Sequence, residues 1–143
     1  MNSQAQLETQ ILFEMAMSIG NSLDLENMAK TSLRTYLRKL NCPVGVIFRR
    51  TDQGSCEQIA GLPRNAQDHS MVSIAKGMIA EQAWPLKGPL CREYAAGEFV
   101  YALPLGDYGV LMLARSGPPL DYSILGSLAE VNRKLANACV ACE

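Results

Sequence analysis

Residues 99–115 read FVYALPLGDYGVLMLAR. Two apolar runs, 99–105 and 109–115, flank the turn-forming trio Gly106, Asp107 and Tyr108. Strand-forming residues on either side of a short glycine-containing connection predict an antiparallel hairpin. Both runs are apolar almost throughout rather than alternating. That suits strands in the middle of a sheet that is covered on both faces.

Working outward, residues 44–50 hold Val44, Val46, Ile47 and Phe48 and read as a strand, with 51–54 as a turn and 56–60 as a weaker partner strand. A short strand is expected near 91–94, inside a stretch broken by Pro85, Gly88, Pro89 and Gly97. Helices are expected around the strands. Leu7, Ile11, Leu12, Met15 and Ile19 share one face of a 3.6-residue repeat, and Gly20-Asn21 stops it. Leu25, Met28, Ala29, Leu33, Tyr36, Leu37 and Leu40 form a second stripe, capped by Ser22 or Asp24 and ended by Asn41-Cys42-Pro43. Residues 69–83 predict a third helix, and one capped by Asp121 runs to the end of the chain. The fold class is α+β, with a central antiparallel sheet and helices packed on it.

The chain has 143 residues and reads as one domain. Its net charge of −1 and pI near 5.9 argue against nucleic-acid binding, which needs phosphate-neutralising charge. The one dense basic cluster is Arg34, Arg38 and Lys39, followed by Arg49 and Arg50. No run reaches the roughly 18 apolar residues of a membrane span. Five irregularly spaced cysteines suggest reduced thiols and a cytoplasmic location. His69, the single histidine, is expected to cap a helix or face solvent. No catalytic residue, metal site or cofactor is expected.

The element order resembles that of the GAF domains, small sensory modules of bacterial signalling proteins. The resemblance rests on Ser22-Leu23-Asp24-Leu25-Glu26, on Cys42-Pro43-Val44-Gly45-Val46 and on the paired late strands before a closing helix. It implies first and last helices on one sheet face, a ligand pocket on the other where one exists, and a neighbouring output domain such as a histidine kinase. Residues 1–143 would then be the N-terminal part of a longer signalling protein. The Asn-Lys-Phe-Asp-Glu pattern of cyclic-nucleotide-binding members is absent, and Cys91 precedes Arg92 rather than the histidine of bilin-binding members.

Two candidate sites follow. Trp84, Arg92, Tyr94 and Tyr101 could line a pocket for a flat small molecule. Leu125, Leu128, Asn132, Leu135, Cys139 and Cys142 step by 3, 4, 3, 4, 3, as a coiled-coil seam does, with Asn132 where a buried polar residue fixes register. With Leu12, Met15 and Ile19 of the first helix they would make a homodimer interface; packing on the sheet explains the same spacing. The expected function is a non-catalytic sensory or regulatory domain that dimerises and relays a signal. The alternatives are an interaction scaffold with a collapsed pocket and, more remotely, a thiol reductase using Cys42, Cys56 or Cys91.

Overall fold

The computed structural model describes residues 3–51, 55–81 and 86–143. Five strands form one antiparallel sheet: β1 (Val44–Arg50), β2 (Cys56–Leu62), β3 (Leu90–Ala95), β4 (Glu98–Leu105) and β5 (Gly109–Ser116), in the order β2-β1-β5-β4-β3. The long helices are α1 (Ser3–Met17), α2 (Leu25–Leu40), α3 (Ser70–Ala80) and α4 (Tyr122–Ala141).

The predicted late hairpin forms at the heart of the sheet, with Tyr101 opposite Leu113 and Leu103 opposite Leu111. Both strands are buried on both faces because two separate cores meet across them. Ile47, Tyr101, Leu103, Leu111 and Leu113 belong to the core under α1, α2 and α4. Val44, Val46, Phe48, Val100, Ala102 and Met112 belong to the core under α3. The residue alternation within each strand sorts the two sets.

Local chemistry sets the helix ends. The Asp24 side chain caps α2 by accepting from the Asn27 N–H at 3.2 Å. Asn41 ends that helix in the left-handed region, and the Cys42 N–H returns to the Leu37 carbonyl. His69 is the N-cap of α3, its Nδ1 accepting from the Met71 N–H at 3.0 Å. Asp121 occupies the N-cap of α4 without a side-chain cap bond. Asp24→Ala is expected to cost about 1 kcal/mol in urea unfolding.

Helix α2 lies against β1 and β2, and α4 against β4. Gly45 lets α2 come close: a Cβ there would stand 2.7 Å from Leu37 Cδ2 and 2.9 Å from Leu33 Cδ1. Helix α1 packs on α2 and α4 and reaches the core through Met15 and Ile19. It runs parallel to α4, since Ser123 donates to Glu8 and Lys134 Nζ donates to the Ala16 carbonyl at 2.7 Å. Among the described residues, no helix is long and apolar enough to cross a membrane.

Candidate functional site

Of the expected ligand residues, the three that are described do not share one face of the sheet. Trp84 lies outside the described residues. Cys91 stands opposite Tyr101 and Arg92 opposite Val100. Tyr101 therefore belongs to the helical face, while Arg92 and Tyr94 point to the α3 face. Tyr101 is fully buried, and its hydroxyl accepts the Leu120 N–H at 2.8 Å, which ties β4 to the start of α4. Arg92 is exposed and pairs with Glu81 at 3.5 Å.

Among the described residues, the α3 face, where the resemblance places a pocket, carries a packed apolar cluster. Phe48, Met71, Val72, Met78, Leu86 and Met112 pack together there. The cavity beside it, lined by Val44, Pro63, Asn65, Ala66, Asp68 and His69, has about 240 Å³. That is under the roughly 300–1,000 Å³ usual for a small-molecule site.

The seam residues are spent inside the protomer. Met15, Leu128, Leu135 and Cys139 are 0 % exposed, and Ile19, Leu125 and Asn132 are nearly so. Leu12 packs half-buried against the same core. Their 3-4 spacing describes the stripe that α1 and α4 turn towards α2 and the sheet, so the proposed dimer seam is corrected to an internal one. Asn132 fixes register within the chain: its Oδ1 accepts from the buried Tyr36 hydroxyl at 2.7 Å. Sequence periodicity marked both residues as core but not their pairing across 96 positions. Tyr36→Phe is expected to strand Asn132 Oδ1 and cost about 1–3 kcal/mol in urea unfolding. Replacing Asn132 by leucine as well should recover part of that loss.

The last turn of α4 is tied down separately. Arg49 of β1 pairs with Glu57 at 2.6 Å and with Glu143. The Cys142 thiol donates to the Ser22 carbonyl at 3.4 Å. These contacts hold Cys139-Val140-Ala141-Cys142 as a helix end. Among the described residues, no group of three or more His, Cys, Asp and Glu side chains is placed to hold a metal ion.

Burial pushes the thiols of Cys42 and Cys139 up to about 12. Both stay protonated at neutral pH, and neither is a ready nucleophile. Iodoacetamide is expected to label exposed Cys91 in the native protein and to spare Cys42 and Cys139 until the chain is denatured, as read by peptide mass mapping. The same shifts set an alkaline limit. The folded-state values lie above the ordinary value of 9.0, so the stabilising contribution is complete below about pH 9. It drains away up to about pH 12, because there the unfolded chain loses protons that the folded chain keeps. Cys42→Ala with Cys139→Ala should flatten that fall.

No protein-family model matches the chain, and no curated protein matches it. Solved structures do. The GAF domain of a protein described as a sensor histidine kinase, from Pseudomonas syringae pv. tomato, superposes with a TM-score of 0.68 at 21 % identity, over 95 % of this chain and 89 % of that one. The GAF domain of a phosphoenolpyruvate-protein phosphotransferase from Acinetobacter gives 0.58 at 11 % identity, over 98 % and 94 %. The five-stranded antiparallel sheet with its helices matches the fold of these two domains. The chain has the GAF-domain fold.

Proposed function

We propose that this chain is a non-catalytic regulatory domain that works as a homodimer and passes a change in α4 to an output domain in the same polypeptide. The observation that carries the reading is the parallel α1–α4 pair. Its inward stripe is buried in the protomer, while large apolar side chains remain on its outer side. Phe13 and Met17 are 64 % and 59 % exposed, one turn apart on α1, and Val140 is 60 % exposed on α4. Large apolar groups exposed on the outer helical surface suit a partner helix from a second copy. The histidine-kinase context of one structural neighbour supports an output domain of that kind.

The apolar packing of Phe48, Met71 and Met112 on the α3 face, among the described residues, favours a second reading: the domain serves as a dimerisation scaffold with a degenerate pocket. Of the three cysteines a thiol reductase could use, Cys42 is disfavoured, because it is buried and protonated. Sedimentation velocity tests the association. A dimer at micromolar concentration that becomes a monomer in Phe13→Ser with Met17→Ser, at unchanged melting temperature, supports the reading. A monomeric wild-type chain overturns it.

A further inference from the structure

The last turn of α4 brings together two thiols, one fully buried at Cys139 and one half-buried at Cys142. The chain is still helical between them. Cys142 lies in the right-handed region, and its N–H reaches the Ala138 carbonyl at 3.1 Å. Positions i and i+3 of a helix stand about 5 Å apart at Cα, inside the roughly 4.4–6.8 Å that a disulfide spans. Their Cβ atoms stand about 5–6 Å apart, against about 3.5–4.5 Å in a disulfide. The two sulfurs are therefore within reach of each other, but bonding them pulls this turn out of regular helix.

The contacts around the turn are ones that such a change breaks. The Cys142 thiol donates to the Ser22 carbonyl at 3.4 Å, which ties the α1–α2 connection to the end of α4. Glu143, the next residue, pairs with Arg49. Tyr108 packs against the core that holds Cys139, yet its buried hydroxyl makes no hydrogen bond among the described residues. The Nε of Arg49 is likewise buried without a partner. Buried polar groups left unpaired make the closed end costly to hold. A helix end held in this way is where local opening concentrates.

We propose that Cys139 and Cys142 are a redox pair, oxidised by a hydroperoxide to a disulfide that captures the end of α4 in an opened form. Hydrogen peroxide meets half-buried Cys142 first. The Cys142 sulfur attacks one peroxide oxygen, the O–O bond breaks, and one water leaves with the thiol proton, giving a sulfenic acid. The Cys139 sulfur then attacks the sulfenic sulfur, whose hydroxyl leaves as a second water with the Cys139 proton. Two thiols are oxidised by two electrons, and one peroxide is reduced to two waters. Burial pushes the Cys139 thiol up to about 12, so it stays protonated until the turn opens to solvent. Opening thus gates the second step, and the new bond holds the opened form. Cys142 then has no proton to give Ser22. The regulatory reading above gives this pair its consequence at the end of α4, but the chemistry stands or falls by itself.

The test exposes the full chain to hydrogen peroxide at neutral pH, alkylates it after denaturation and maps its tryptic peptides without reductant. Residues 135–143 carry both cysteines on one peptide. That peptide should be lighter by two hydrogens and take no alkyl group, and dithiothreitol should reverse this. A doubly alkylated peptide, or oxygen added to Cys142 with Cys139 alkylated, overturns the proposal. Hydrogen exchange tests the capture: oxidation should speed exchange across residues 138–142 at least about threefold. Cys142→Ser keeps a hydroxyl donor for the Ser22 carbonyl, so it should exchange like the reduced protein and ignore peroxide. Exchange that is unchanged by the disulfide, or that responds to peroxide equally in Cys142→Ser, overturns the capture. Sedimentation of the same samples separates the two claims: a dimer that forms no disulfide removes this pair alone, and a monomer that forms it removes the dimer alone.

Discussion

Leu128→Asp is expected to unfold the protomer rather than release it from a dimer. Leu128 is 0 % exposed in the core shared by α1, α2, α4 and the sheet. Removing a buried leucine costs about 2–5 kcal/mol in lost transfer energy and cavity formation alone. An unpaired carboxylate adds a desolvation penalty that no neighbouring cation offsets, since the core around it is apolar. The total reaches the roughly 5–15 kcal/mol that holds a domain of this size together. Circular dichroism should show no cooperative unfolding transition. A folded, monomeric Leu128→Asp chain would restore the intermolecular seam that the 3-4 spacing first suggested.

Gly109→Ala is expected to be nearly as severe, although it adds one methyl group. Gly109 pairs with Arg49 where β5 starts beside β1. A Cβ there would lie 1.9 Å from the Phe48 carbonyl oxygen and 2.9 Å from its carbon. Both are backbone atoms and cannot rotate away, so the central ladder must open. Phe48 is buried in the α3-side core, and the disturbance reaches both layers. A loss of about 3 kcal/mol or more in urea unfolding is expected. Gly77→Ala is the control. A Cβ on Gly77 meets nothing within 4 Å inside α3, so that change should be neutral or stabilising by up to about 1 kcal/mol.

Most of the architecture was legible because burial repeats with a fixed period. The run at 44–50 coincides with β1, and the late hairpin differs from expectation by one residue at each outer end. Helix α2 starts after the expected cap Asp24 and stops at Asn41, the first residue of the expected terminator Asn41-Cys42-Pro43. Strand β2 runs two residues past the expected end, to Leu62, because pairing with Gly45 and Val46 holds a segment with little strand character of its own.

The site was less legible, since it depends on register and on which layer meets which. Tyr94 and Tyr101 cluster in the sequence, yet register puts them on opposite faces. The stripe on α4 was read correctly as apolar and helical. Spacing alone cannot distinguish a partner helix in a second copy from α2 and the sheet of the same chain. Trp84 and the turn residues 52–54 fall outside the described residues.

The most direct test of the dimer reading places a cysteine at Phe13→Cys in a Cys91→Ser background and oxidises the protein mildly. Lys76→Cys, exposed on α3, serves as the control. Association through the outer face of α1 predicts a disulfide-linked dimer from Phe13→Cys and none from Lys76→Cys. No cross-link at position 13, or a cross-link at position 76 instead, would contradict it.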